Sequence, residues 1–377
     1  SALRSGARIL RPAVRASYLD SEPGQQIGER GAEPFVEVSW ETALALVARE
    51  LNRVRRSFGN EAIYGGSYGW ASAGRFHHAQ GQLKRFLNAI GGFVRSEGNY
   101  SYNAALVLMP HILGNFRQHL TEATRWSTVA RNGQLVVMFG GLPLRNVQVS
   151  GGGVAKHRLR DQLKACAEAG VRFVNFSPLR SDALADLGAE WLAPRPGTDT
   201  AIMMGIAHTL LEQGNYDRDF LDRYTVGFDK LTAYLSGELD GIAKCAEWAS
   251  VLSEIPADRI RMLAKDMWTS SSLITTAASL QRADFGEQPL WMTVALACML
   301  GQIGQPGAGF GIAFGADSSI GTMTRPMPWP SLPQGKNPVE NYIPVAMVTE
   351  MLELPGGAYE YNGAHRTFPD IRLIWWA

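Results

Sequence analysis

Apolar residues recur at helical spacing near the start of the chain, where Leu44, Val47, Leu51, Val54 and Phe58 stand three and four apart. Ser39 precedes them as a capping side chain and Gly59 follows, so the pattern predicts an amphipathic helix with one buried face over 39–58. A short strand, Ala62-Ile63-Tyr64, then runs into the glycine-rich Gly65-Gly66-Ser67-Tyr68-Gly69-Trp70, and Gln80 to Ile90 reads as a helix. From residue 134 the alternation becomes regular. Leu135-Val136-Val137-Met138-Phe139 and Val171-Arg172-Phe173-Val174-Asn175-Phe176 are strands on either side of a helix at about 155–169. Their near-continuous apolar character suits a parallel sheet covered on both faces. A further helix begins near Thr198 or Asp199, Leu273-Ile274-Thr275-Thr276 is a strand, and a long apolar helix covers about 288–302. The order predicts an α/β fold of doubly wound, mostly parallel sheets with flanking helices.

Domain ranges follow from the same reading: 1–130 with 270–377 as one discontinuous α/β domain, and 131–269 as a second, dinucleotide-binding one. Residues 315–338 hold five prolines and little periodicity, which predicts a long surface loop or lid. The chain closes on Ile371-Arg372-Leu373-Ile374-Trp375-Trp376-Ala377, a run typical of a buried strand with no turn or cap behind it, as in a piece of something longer.

Composition narrows the functional classes. The 377 residues carry 36 Lys and Arg against 35 Asp and Glu, a net charge of +1, which argues against nucleic acid or a membrane surface as the partner. No apolar run has the roughly 18 residues of a membrane span. The three cysteines, Cys166, Cys245 and Cys298, are too far apart to form a CxxC pair, so neither a zinc knuckle nor a local iron–sulfur motif is present.

Three groups of residues carry candidate chemistry. Gly65-Gly66-Ser67-Tyr68-Gly69 has the form G-x-S-x-G between a strand and a helix, the setting of a serine-hydrolase elbow, with His365 downstream as the base. A second polar-aromatic glycine loop, Gly98-Asn99-Tyr100-Ser101-Tyr102-Asn103, lies about thirty residues on and could share a pocket with the first. The third group is a set of strand ends: Gly140-Gly141-Leu142-Pro143-Leu144-Arg145, then Ser177-Pro178-Leu179-Arg180, then Pro196-Gly197-Thr198-Asp199. These offer backbone N–H groups and guanidiniums for phosphates and a carboxylate for a base rich in N–H donors, such as guanine. No Walker A and no G-x-G-x-x-G is present, which disfavours ordinary ATP or NAD binding.

Taken together, Ser67-Tyr68-Gly69-Trp70, Gly98-Asn99-Tyr100-Ser101, Pro196-Gly197-Thr198-Asp199, Gln281-Arg282 with Gly286-Glu287-Gln288, and Met299-Leu300-Gly301-Gln302-Ile303-Gly304-Gln305-Pro306-Gly307 resemble the dimethyl sulfoxide reductase family of molybdopterin oxidoreductases. The likeness runs from about Val14 to the end and is greatest to its biotin sulfoxide and trimethylamine N-oxide reductase branches. The resemblance implies molybdenum held by two molybdopterin guanine dinucleotides and one protein side chain, here Ser101, with no iron–sulfur cluster in this chain. It implies reduction of a small S-oxide or N-oxide by oxygen-atom transfer to reduced molybdenum, with Tyr68 and Trp70 facing the transferred oxygen and electrons arriving from a separate donor. It also implies that Arg145, Ser177, Arg180 and Asp199 contact a guanine dinucleotide and that Gln281 and Arg282 approach the pterin at the metal. Two departures stand out: Ser177 occupies a position where many members have aspartate, and the first strand end reads Gly-Leu-Pro in place of a polar residue before proline. Family members begin earlier and continue further than this chain. A non-catalytic nucleotide-binding α/β fragment, and a hydrolase using Ser67, are the alternatives.

Overall fold

The computed structural model describes residues 4–25, 28–67, 78–150, 156–182, 184–323 and 330–377. Its organising element is a five-stranded parallel sheet built from β1 (Leu135–Phe139), β2 (Arg172–Phe176), β3 (Glu190–Leu192), β4 (Ser272–Thr276) and β5 (Gly309–Ile312). The strands lie in the order β3-β2-β1-β4-β5. Leu135 is registered with Arg172 on one side and Ser272 on the other, and Phe139 with Phe176 and Thr276. Every residue of β1 and β4 is buried, as expected of central strands with both faces covered, and so is every residue of the edge strand β5. Chain order reverses direction between β1 and β4, which makes the carboxyl edge there the switch point of a doubly wound sheet.

Four helices matter for what sits on that edge: α1 (Asn103–Leu113), α2 (Leu159–Glu168), α3 (Asp199–Glu212) and α4 (Gln288–Met299). The most enclosed is α3, with Ile202, Met203, Ile206, Ala207 and Leu210 in the core. Gly205 lets it approach the helix Ala246–Ser253 so closely that a Cβ there would stand 2.8 Å from the Ala249 Cβ. On α4 the Thr293 hydroxyl donates to the Pro289 carbonyl and also meets Thr276 Oγ1, which seats the helix on β4.

Contacts group the described residues into two compact units, one of residues up to 97 and from 330 onward, the other from 98 to 323. These ranges differ from those expected from sequence, because β4 and β5 hydrogen-bond into the same sheet as β1 and β2. In the first unit the helix Trp40–Phe58 is capped by Ser39, whose side chain accepts from the Thr42 N–H, and closed by Gly59 at φ 80°. Its apolar face is only partly covered. Leu51 and Val54 are buried, whereas Leu44, Val47 and Phe58 are exposed.

The strand after it spans Ile63–Gly66, with Asn60–Ala62 forming a 3-10 turn, so the first two glycines of the predicted loop belong to the strand. A Cβ on Gly65 would meet Leu87 at 2.4 Å and one on Gly66 would meet Trp376 at 2.3 Å, so these glycines make room for neighbouring side chains. Leu373–Trp376 pairs in parallel with this strand, but as an edge: Ile374 and Trp376 are exposed, and the buried strand expected at the end of the chain is a half-exposed one. Residues 333–339 of the proline-rich stretch are pinned in the same unit. Arg85 donates to the Pro333 carbonyl, Asn88 to that of Gln334, and the Asn337 amide both accepts from the Phe93 N–H and donates to its carbonyl. Among the described residues no helix is long and apolar enough to cross a membrane.

Candidate functional site

The site is assembled at the carboxyl edge of the five-stranded sheet, within the larger unit. Past the end of β1 the chain turns through Gly140 and Gly141 at φ 83° and 79°, values that L side chains rarely adopt. The Gly140 N–H donates to the Phe176 carbonyl at 2.9 Å, and a Cβ on it would lie 2.8 Å from the Ala277 Cβ in the loop after β4. The loops on the two sides of the switch point therefore touch through a glycine backbone.

On the β1–β2 side the polar side chains hold one another. Arg145 lies in the short turn Leu144–Gln148 and donates to Asp182 Oδ1 at 2.5 Å and to Oδ2 at 3.4 Å. That carboxylate is almost fully buried while the arginine is 56% exposed, so the guanidinium neutralises Asp182 and still faces solvent. Asn175 Nδ2 donates to the Asp182 carbonyl, which ties the turn back to β2. Ser177, directly after β2 and buried, accepts from the Leu179 N–H at 3.2 Å, and its carbonyl accepts from Trp191 Nε1 at 2.8 Å. Arg180 is exposed, with its guanidinium 5.6 Å from the Trp191 ring, and forms no ion pair among the described residues. Asp199 opens α3 and is 4% exposed. Burial pushes its carboxyl up to about 6, against which its own backbone N–H acts as a hydrogen-bond donor.

On the β4 side the polar side chains reach outward. Residues Ala278–Gln281 form a 3-10 turn. The chain then folds back so tightly that a Cβ on Gly286 would stand 2.1 Å from the Gln281 carbonyl oxygen, which only glycine permits. From this turn Gln281 Oε1 accepts from the Ala104 N–H at 2.6 Å and Gln281 Nε2 donates to the Tyr100 carbonyl at 3.4 Å. Arg282 donates to the Ser101 carbonyl at 3.1 Å. Asn99 holds the other side of the same segment, its Oδ1 accepting from the Ser101 and Tyr102 N–H groups at 2.9 and 2.8 Å. Gly98 at φ 84° leaves no space for a side chain beside Asn103. Ser101, half-buried, thus stands just before the N-cap of α1, Tyr102, with the polar backbone atoms on both sides of it held.

Of the residues singled out from sequence, Ser101, Gln281 and Arg282 form one cluster. Past β1 and β2, Arg145 is paired with Asp182, Ser177 and Arg180 meet at Trp191, and Asp199 stands at the head of α3. Tyr68 and Trp70 lie outside the described residues. Asp182 and Trp191 escaped the sequence reading; Asp182 stands two residues past Arg180, and nothing local marks it as the partner of Arg145, 37 positions away. For the hydrolase reading the outcome is unfavourable: Ser67 Oγ is buried with no hydrogen-bond partner among the described residues, so none of the described histidines sits on it as a base.

A guanine dinucleotide of the kind the resemblance implies suits this donor set. Gly197, with open space where a Cβ would stand, leaves backbone that a diphosphate can approach, Arg180 offers an exposed guanidinium, and Asp199 offers a buried carboxyl with no side-chain hydrogen-bond partner among the described residues. Ser101 beside a helix N-terminus offers a hard oxygen donor for a high-valent metal. Among the described residues no group of three or more His, Cys, Asp or Glu side chains is placed to hold a metal ion.

Comparison with known proteins places these features in context. The chain is 43% identical over 370 residues to the biotin sulfoxide reductase of Cereibacter sphaeroides, covering 98% of this chain and 50% of that protein. It is 40% identical to the dimethyl sulfoxide/trimethylamine N-oxide reductase of the same organism, covering 99% of this chain and 46% of the relative. It is 36% identical to the trimethylamine-N-oxide reductase of Haemophilus influenzae, over 100% of this chain and 46% of that one. The chain therefore spans about half the length of the relatives it matches. Among solved structures, acetylene hydratase from Pelobacter acetylenicus aligns with a TM-score of 0.48 and 19% identity, over 79% of this chain and 36% of that one. The model of the molybdopterin oxidoreductase family matches residues 8–368, so the chain belongs to that family, whose implied cofactor is a molybdenum–molybdopterin.

Proposed function

We propose that the protein is a molybdenum-dependent reductase of small S-oxides or N-oxides, with Ser101 as the side chain that binds the metal and two molybdopterin guanine dinucleotides completing its coordination. The observation that carries this reading is the held Ser101 segment. Asn99 fixes the N–H of Ser101, Arg282 fixes its carbonyl, and α1 begins two residues on, after the N-cap Tyr102. When bound, the cofactor supplies the two-electron oxygen-atom transfer that no side chain of this chain provides.

The chain's own residues bind and orient. The N-terminal end of α1 favours negative charge on the Ser101 oxygen, which is the form that ligates a high-valent metal. Arg180 takes a phosphate of one dinucleotide while stacking on Trp191, and Arg145 presents the solvent-facing side of its guanidinium while Asp182 keeps it in place. Asp199 accepts from the N–H donors of the guanine. Tyr68 donates a hydrogen bond to the oxide oxygen, and Trp70 shapes the pocket around the substrate. Electrons come from a separate donor, and no iron–sulfur cluster is held by this chain.

Elemental analysis of the whole protein, produced in a host that assembles the dinucleotide cofactor, is the direct test. About one molybdenum per chain, falling on S101A, is the expected result. Absence of molybdenum from the unmodified protein, or an S101A variant with unchanged molybdenum and unchanged oxide reduction, refutes the reading.

A further inference from the structure

We infer that Gln281 is a positioning residue, one that holds the Ser101 loop in the geometry required to ligate the metal; the inference rests on the reading of Ser101 given above. Helix α1 begins without a capping side chain of its own, since Tyr102 at the N-cap position makes no side-chain hydrogen bond to the first turn. A helix start leaves its first N–H groups without intrahelical partners. The one on Ala104 is satisfied from a distance: Gln281, 177 residues away, supplies the acceptor through Oε1. With the other end of the same amide Gln281 donates to the Tyr100 carbonyl. One side chain therefore spans the segment on both flanks of Ser101, and its neighbour Arg282 takes the Ser101 carbonyl itself.

The clamp is rigid at its own base. Leu280 N–H donates to the Ala277 carbonyl and Arg282 N–H to that of Ser279, and Gly286 packs against the Gln281 backbone at a distance no other residue tolerates. Phe285, between the clamp and that glycine, is held at φ 51°, a conformation that a bulky side chain adopts only where its surroundings impose it. The amide is also the right group chemically. It must accept at one end and donate at the other; a carboxylate can only accept and an ammonium can only donate.

The test uses the whole protein with cofactor, and reads out amide hydrogen exchange across 99–105 together with the electron paramagnetic resonance signal of the pentavalent metal. Q281L preserves volume and removes both hydrogen bonds. It should speed exchange at Ala104 roughly fivefold, the effect of losing one such bond. It should also shift the signal with molybdenum content retained, and lower kcat by about tenfold, in the range found for residues that orient metal ligands. Q281E keeps the acceptor and should restore Ala104 protection while leaving the signal shifted, because the Tyr100 carbonyl then lacks its donor. If Q281L does not accumulate in folded form, Q281N, one methylene too short to reach either partner, carries the same expectation as Q281L. Unchanged exchange, or faster exchange with an unchanged signal, overturns the positioning role. Failure of the underlying reading shows separately, as the absence of molybdenum from the unmodified protein.

Discussion

The two sides of the switch point use the same residue types in opposite ways. After β1 and β2, Arg145 and Asn175 bond to Asp182, and Ser177 bonds to Leu179 and Trp191, so this edge is finished locally, within a few tens of residues. After β4, Gln281 and Arg282 make no such closed set; they reach to Tyr100, Ser101 and Ala104, in a segment about 180 residues earlier. On the reading proposed above, the contrast separates two jobs. A surface that receives a ready-made ligand benefits from being pre-organised on its own, whereas a loop that presents one reactive oxygen must be aimed from outside.

The largest effect that would sharpen this comparison is expected on the aimed side. If Ser101 is the metal ligand as proposed, S101A should lower oxide reduction by more than about 100-fold, since removing a direct ligand exceeds the loss from its supports; steady-state assays with a dye electron donor measure it. On the other side, Asp199 gives a dependence of stability on pH. Its folded-state pKa of about 6 stands above the ordinary carboxyl value, so the folded protein holds the proton more tightly than the unfolded chain. Stability of the cofactor-free protein therefore falls as pH rises from about 4 to about 6 and is level above that. D199N should remove this slope and raise stability at pH 7 by up to about 3 kcal/mol, as read by urea titration at several pH values. The same variant should weaken retention of the cofactor.

Where the two sides touch, G140A forces a Cβ into contact with Ala277 at a positive φ and should cost about 2 kcal/mol in denaturant unfolding. The smallest effect belongs to the closed set. R145A leaves the buried Asp182 unpaired, but the arginine is more than half exposed, so screening limits the loss to about 1 kcal/mol, measurable by the same unfolding curves. An R145A penalty larger than that of G140A would mean that the β1–β2 edge is less self-contained than described.

Much of the fold was legible in the chain. Leu135–Phe139 announced itself as an unbroken apolar run and is buried at every position; Ser39 and Gly59 bracket their helix as capping chemistry dictates. Strands of three residues, such as Glu190–Leu192 or Arg95–Glu97, passed unnoticed because three positions define no period. Gly309–Ile312 was missed for another reason, since two of its four residues are glycines and its burial comes from its neighbours. Gly65 and Gly66 looked like a turn and lie in a strand, because glycine signals both backbone freedom and a crowded neighbour, and sequence does not say which. In the site, Ser101, Gln281 and Arg282 stood out through their motifs, but the hydrogen bonds among them connect positions far apart in the chain and carry no local pattern.

That separation has a consequence for biogenesis. The acceptor for the Ala104 N–H is a side chain 177 residues downstream, and a contact of such sequence separation requires costly loop closure before it stabilises anything. A ribosome-bound chain that has exposed α1 but not yet residue 281 has the serine without its brace. On the reading of Ser101 proposed above, the loop gains this brace only once residue 281 has been made, so loading of the cofactor is expected after translation of the β4 loop rather than alongside the emergence of Ser101.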